Sequence, residues 1–191
     1  MSNISIFPDR VSMISELVPK QQTYGEIGVF KGDFAKSLLH ILQPEGFVLF
    51  DLFEGRMGSG NADGNYYEEV DLAKEYVRMQ SELPSTIVSF QKGDSSTNLR
   101  QFPDNHFTMI YIDGDHSYQG CKKDLEVAIT KVKSGGWIMG HDYKMNMEKA
   151  HRSYSFGVKQ AVDEFCSRYN QTVCALGMDG CVSYAIHVQK N

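Results

Sequence analysis

The sequence predicts an α/β fold: a doubly wound, mostly parallel sheet with helices on both faces and an antiparallel edge. Three observations carry this. Short β-branched, apolar runs alternate with segments of helical periodicity from Tyr24 to Tyr169. The runs Gly46–Phe53 and Thr108–Ile112 are almost continuously apolar, as strands buried on both faces are. The last two runs, Gln171–Leu176 and Val182–Val188, are separated only by Gly177-Met178-Asp179-Gly180, a turn composition that favours a closing hairpin.

The elements follow in order. Val11, Ile14 and Leu17 sit at helical spacing within Asp9–Leu17, so a short amphipathic helix belongs to an N-terminal helical extension, residues 1–22. Tyr24–Phe30 reads as the first strand. Gly32-Asp33 supply a turn and cap for a helix through Ile41, with Phe34, Leu38, Leu39 and Ile41 inward. Gly46–Phe53 is the second strand, Thr86–Gln91 the third, Thr108–Asp113 the fourth and Trp137–Gly140 the fifth. Helices are predicted at Tyr67–Leu83, Ser96–Gln101, Tyr118–Val132 and Val158–Tyr169; in the third of these Cys121, Leu125, Ala128, Ile129 and Val132 share one apolar face. Two segments, 55–65 and 144–156, are long for loops and read as lids or substrate walls. No internal repeat appears, and residues 1–191 read as a single domain.

Composition narrows the function. A chain of 191 residues, 41% hydrophobic, has enough length for a sizeable core. Net charge is −5 with no basic block, which argues against nucleic acid, whose phosphates need clustered Lys and Arg. No apolar run approaches the roughly 20 residues of a membrane span, and Met1–Arg10 lacks a basic stretch leading into an apolar one. The four cysteines (Cys121, Cys166, Cys174, Cys181) form no CxxC pair and no zinc spacing, so reduced thiols in a cytoplasmic protein are expected.

Chemistry concentrates where predicted strands end. The fourth runs into Asp113-Gly114-Asp115-His116, and the fifth into His141-Asp142-Tyr143. In open α/β sheets the carboxyl rim of the strands is where ligands bind. The first strand–helix turn, Glu26-Ile27-Gly28-Val29-Phe30-Lys31-Gly32, departs from GxGxxG, and no GxxxxGK[ST] occurs, which weakens dinucleotide and P-loop readings. Gly28 and Gly32 either let a ligand approach the backbone or permit tight helix–strand packing. Asp51 ends the second strand, where a carboxylate accepts from ribose hydroxyls, or else it is a solvated turn residue. Gly93-Asp94-Ser95-Ser96 follows the third strand; Asp94 reads an adenine edge, caps the next helix, or does both. Glycine, acid and acid on successive strand ends, with no phosphate to bind, suit a cationic adenosyl cofactor.

These motifs (EIGVFKG at 26–32, FDLF at 50–53, KGDSS at 92–96, YIDGDHSYQGCKKDL at 111–125, GGWIMGHDY at 135–143, GVKQAVDEF at 157–165) resemble those of class I S-adenosylmethionine-dependent methyltransferases. Within that class the chain is similar to the small metal-dependent O-methyltransferases of the macrocin and catechol type, methyltransferase domain family 24. The resemblance implies a Rossmann-like sheet of order 3-2-1-4-5-7-6 with strand 7 antiparallel. It implies that Glu26, Gly28 and Gly32 line the methionine end of the cofactor. Asp51 would hold the ribose, Gly93, Asp94 and Ser95 the adenine, and Asp113 would stand near the sulfonium. It further implies a divalent metal on Asp113, His141 and Asp142, His141 replacing the carboxylate of catechol-type enzymes.

The chemistry expected is methyl transfer to an oxygen, which requires the reacting atoms about 3–3.5 Å apart and a route for the hydroxyl proton. Three protein ligands leave room for two acceptor oxygens, so the acceptor expected is a diol, catechol, sugar or other small secondary-metabolite hydroxyl. Magnesium, manganese or iron would serve, the imidazole turning preference away from magnesium. His116 is a candidate base, or a structural imidazole pinning its loop; His141 is a ligand, a loop cap or a supporting group. His141 and Asp142 can face one ion only if the strand has broken there, since consecutive strand residues point to opposite faces. Asp115 reads as a turn former. Met57, Tyr66, Tyr67, Met145, Met147, His151, Tyr154 and Phe156 are candidates for an acceptor wall. Two competing functions share the fold: a metal-dependent hydroxylase-associated protein, and a non-catalytic S-adenosylmethionine-binding module. The expected partner is a small-molecule acceptor, with no nucleic acid and no membrane; a homodimer is compatible with the sequence.

Overall fold

Parallel pairing brings the ends of the chemistry-bearing strands to one rim. The computed structural model describes residues 4–60, 66–144 and 156–190. In chain order the elements are β1 (Ser5–Phe7), α1 (Arg10–Leu17), β2 (Thr23–Ile27), α2 (Asp33–Leu42), β3 (Gly46–Asp51), β4 (Arg56–Gly60), β5 (Tyr66–Asp71) and α3 (Leu72–Glu82). They continue with β6 (Val88–Lys92), α4 (Ser95–Leu99), β7 (Phe107–Ile112), α5 (Tyr118–Lys131), β8 (Val132–Lys144), α6 (Val158–Tyr169), β9 (Val173–Gly177) and β10 (Val182–His187). The main sheet has order β1-β9-β10-β8-β7-β2-β3-β6, and β4 pairs with β5 separately. Only β10 runs antiparallel to its neighbours in the main sheet.

The observed order departs from the expected seven strands because the sheet has eight. Ser5, Ile6 and Phe7 add a parallel strand against Ala175, Leu176 and Gly177, covering the edge that β9 would otherwise present. Leaving that strand and the β4–β5 pair aside, the remaining strands stand in the order 3-2-1-4-5-7-6. The N-terminal extension is therefore a strand followed by a helix.

A second difference lies at residues 55–71. The expected loop from Gly55 contains β4, paired antiparallel with β5, and the helix expected from Tyr67 begins only at Leu72. Asp71 decides this boundary: its side chain accepts from the N–H groups of Ala73 and Lys74, capping α3. Tyr66 and Val70, good strand formers, pair with Gly60 and Met57 instead of coiling. Residues 61–65 of the expected lid, and Met145, Met147, His151 and Tyr154 of the expected wall, lie outside the described residues.

The sheet is filled on both faces. Successive residues of β3 alternate between layers: Phe47 and Leu49 pack with Met13, Ile14, Leu38 and Met79 from α1, α2 and α3, whereas Val48 and Phe50 pack with Leu99, Leu125, Val162 and Phe165 from α4, α5 and α6. All six residues of β7 are buried, which explains its unbroken apolar run. No described helix is long and apolar enough to cross a membrane, and all four cysteines are free thiols.

Candidate active site

Gly28 follows β2 with φ +85°, and a Cβ there would lie 2.1 Å from the Asp113 carbonyl oxygen. The close approach of two backbones therefore demands glycine at this position. At Gly32, the left-handed N-cap of α2, a Cβ would meet the Met79 sulfur at 2.3 Å. Tight packing, the second of the two readings left open by the sequence, is thus observed at both glycines.

Asp51 organises the same turn. Its Oδ2 accepts from the N–H groups of Val29 (2.7 Å) and Phe30 (3.0 Å), and its Oδ1 from Phe53 N–H (3.1 Å). Phe30 itself adopts φ +52°. A carboxylate offers about four lone-pair positions, so the three backbone bonds made among the described residues leave it one acceptor direction rather than a full pair. Glu26 is different. It is 1% exposed and its Oε2 has no hydrogen-bond partner among the described residues. Burial, reinforced by the Asp113 charge, pushes its carboxyl well above the ordinary range, with Arg10 opposing and Asp51 adding. A buried, unpartnered carboxyl at the rim fits a cationic ligand group, so the residues present suit S-adenosylmethionine.

At the third strand end Gly93 adopts φ +118° and hands the chain to Asp94. Asp94 Oδ1 accepts from Thr97 N–H and from the Ser96 hydroxyl, each at 2.8 Å, and these bonds lower its pKa. The helix-capping reading of Asp94 therefore holds. Ser95 turns inward, its hydroxyl donating to Asp124 Oδ1 at 2.6 Å. Asp94, Ser95, Gln119 and Asp124 line one cleft at this end of the sheet.

The ends of β7 and β8 form the densest cluster. One donor atom each from Asp113, His141 and Asp142 lies within 4.8 Å of the others. His141 Nδ1 stands 3.8 Å from Asp113 Oδ1 and 3.8 Å from Asp142 Oδ1. Metal–ligand bonds of about 2.0–2.2 Å allow two donors on one ion to stand up to roughly 4.2 Å apart, so these spacings fit a cation. The strand does not end here, since β8 continues to Lys144, but it bulges, which has the same effect. Asp142 adopts φ +58°, and the β8–β10 register slips between the Tyr184↔Gly140 and Val182↔Lys144 pairs, which turns neighbouring side chains into one space.

His116 joins the group from the loop after β7. Its Nε2 lies 3.2 Å from Asp113 Oδ1 and 3.2 Å from Asp142 Oδ2, and its ring stacks on Phe156 at 5.3 Å. Burial lowers its pKa, but the Asp113 hydrogen bond and the charges of Asp142, Asp113 and Asp115 outweigh that, and the net shift is upward. Asp115 accepts from Ser117 N–H at 2.9 Å, as a turn former does.

Three contributors were not legible as site residues. Arg10 donates to Asp113 Oδ2 at 3.2 Å and pairs with Asp179 Oδ2 at 3.3 Å, its guanidinium lying 4.2 Å from the Phe34 ring centroid. Tyr111 places its hydroxyl between Arg10 (3.5 Å) and Ser183 (3.3 Å). In sequence Asp179 is simply a turn residue and Arg10 the start of a helix; neither has a local signal.

Residues 26–143 match the family model described as a methyltransferase domain. Comparison with curated proteins gives no significant match. Among solved structures the chain is similar to an O-methyltransferase family protein from Burkholderia thailandensis (TM-score 0.63, 10% identity, covering 95% of this chain and 55% of that one). A putative rRNA-methylase from Clostridium thermocellum aligns at TM-score 0.62 and 14% identity over 95% of this chain and 94% of that one. The precorrin-6y C5,15-methyltransferase of Geobacter metallireducens GS-15 aligns at TM-score 0.61 and 11% identity over 94% and 86%. At such identities the likeness establishes the fold.

Proposed function

Because the chain belongs to the methyltransferase-domain family, with S-adenosylmethionine as its cofactor, we propose that it methylates a hydroxyl group of a small molecule with the help of a divalent cation. The observation that carries this reading is the convergence of Asp113, His141 and Asp142 on one space at the rim. S-adenosylmethionine supplies the methyl group on a sulfonium. A divalent cation, when bound, supplies charge that makes an acceptor hydroxyl more acidic.

The chain's own groups supply the rest. Glu26 offers a buried carboxyl to the cationic end of the cofactor, Asp51 a remaining acceptor direction to the ribose, and Asp94 and Ser95 polar edges to the adenine. Asp113, His141 and Asp142 would hold the cation. His116 serves as the base through Nδ1, its Nε2–H being held by the Asp113 and Asp142 carboxylates, whose charges make the ring more basic and stabilise the charged form. Phe156, stacked on that ring, keeps its plane fixed. Acidic surroundings and a net charge of −5 favour a small neutral acceptor over a nucleic acid.

Calorimetric titration with S-adenosylhomocysteine tests the cofactor half: wild type should bind and Asp51→Ala should lose most of that affinity, while absence of binding in the wild type would sink the reading. Transfer of labelled methyl to catechols, sugars and an RNA control, with and without Mg²⁺, Mn²⁺ or Fe²⁺, tests the rest. Turnover should fall with chelator and in Asp113→Asn, Asp142→Asn. Metal-insensitive turnover in that double variant would remove the cation and leave the transferase. Labelling of RNA alone would replace the small-molecule acceptor.

A further inference from the structure

We infer that Arg10 and Asp179 are positioning residues for the metal ligands: Asp179 supports the imidazole of His141 from behind, and Arg10 ties Asp179 to Asp113. This rests on the divalent-cation reading above and extends it to two residues outside the 26–143 family match.

Topology explains how residues so far apart in sequence meet. β9 runs antiparallel to β10, and β10 antiparallel to β8, so the 178–181 turn emerges at the same rim as the ends of β7 and β8. β1 is parallel to β9 and leads into α1 at that rim. The junction is close. Met178 N–H donates to the Phe7 carbonyl at 3.0 Å, and a Cβ on Gly177 would lie 2.9 Å from the Arg10 nitrogen. The start of α1 is therefore set against the β9–β10 turn by backbone contact.

Within that junction the two oxygens of Asp113 are divided. Oδ2 receives Arg10 Nη1 at 3.2 Å, and Oδ1 faces His116 and His141. Arg10 thus fixes the carboxylate so that a single oxygen is presented to the ligand cluster, a task suited to a planar, multiply donating guanidinium. The two nitrogens of His141 are divided likewise. Nδ1 faces Asp113 and Asp142, whereas Nε2 is buried, has no hydrogen-bond partner among the described residues, and stands 3.9 Å from Asp179 Oδ2. An imidazole that commits Nδ1 to a cation carries its proton on Nε2, and ligating histidines commonly give that proton to a carboxylate. Asp179 is the carboxylate in position, needing a displacement of about 1 Å to reach hydrogen-bond distance. Its other oxygen accepts from the Ser183 hydroxyl at 3.2 Å, which holds it in place.

The test is titration of MnCl₂ into the full chain by calorimetry, paired with the visible absorption spectrum of the Co²⁺-loaded protein. Wild type should bind both ions and Asp142→Ala should abolish binding. Asp179→Ala should weaken Mn²⁺ affinity about 10–100-fold and displace the Co²⁺ bands, while Asp179→Asn, which keeps an acceptor oxygen, should recover most of both. Arg10→Lys, retaining charge without the fork, should lose part of the affinity and serves if the alanine variant fails to fold. Affinity within threefold of wild type and an unchanged Co²⁺ spectrum in Asp179→Ala and Arg10→Lys would overturn the inference and leave the cation reading standing. Wild type that binds neither ion, though it still binds S-adenosylhomocysteine, would overturn both.

Discussion

Replacing Asp124 with asparagine should stabilise the protein at neutral pH and change little at pH 4. Asp124 lies on α5, is 3% exposed, and accepts from the Ser95 hydroxyl at 2.6 Å. Burial pushes its carboxyl from 3.8 up to about 6; the Ser95 bond opposes this, Asp94 and Asp115 add to it, and Lys123 opposes it weakly. That rise is roughly a hundredfold in proton affinity, about 3 kcal/mol at most. The folded state binds the proton more tightly than the unfolded chain, so stability is highest below 3.8, falls as pH rises through about 6, and is level above that. Asparagine accepts the same serine hydrogen bond through its amide oxygen and carries no charge. Urea unfolding of wild type and variant without cofactor, at pH 4 and pH 7.5, should give a gain of about 1–3 kcal/mol at the higher pH and near zero at the lower. An equal difference at both values, or a less stable variant at pH 7.5, would refute the assignment of a penalty to the buried charge.

Other perturbations follow from the same geometry. Glu26→Gln should stabilise the protein near neutral pH, because the upward shift makes its charged form costly as pH rises above 4.5. The same variant should weaken S-adenosylhomocysteine binding, and thermal melting with calorimetry reads both effects; lower stability with unchanged affinity would contradict the cationic-ligand role. Gly28→Ala, with φ +85° and a contact of 2.1 Å to Asp113, should lose at least about 2 kcal/mol by urea unfolding, since left-handed strain alone is worth about 1–3 kcal/mol. Phe156→Ala should leave the fold in place and change the apparent pKa of turnover, because it unstacks His116 without touching its carboxylate partners.

The parts of the fold legible in the sequence are those specified by short-range patterns. Val158–Tyr169 is helical over the expected residues because its apolar positions repeat at helical spacing, and the GMDG segment turns where its residues turn readily. Asp113, His141 and Asp142 were readable because each follows an apolar strand, and parallel strands place such residues at one rim. Boundaries set by a single side chain were not readable. Asp71 begins α3 by capping it, which returned five preceding residues to a strand that helical periodicity had absorbed. Ser5–Phe7 became a strand because β9 offered it an edge, an opportunity that exists only once the sheet has formed.

The sequence alone determined the alternating architecture, the rim on which chemistry gathers, and the acids and imidazoles delivered there, since strand and helix periods are local properties. The tertiary structure decided how those groups are used. Only folding shows that the glycines of the first turn answer to Asp113 and Met79, and that Asp51 holds backbone amides. Only folding bulges β8 at Asp142 so that it faces the same space as His141, and brings Arg10 to Asp113 across 103 positions of sequence. Hydrogen bonds and charge pairs act over a few ångströms in space, and spacing along the chain does not encode that distance.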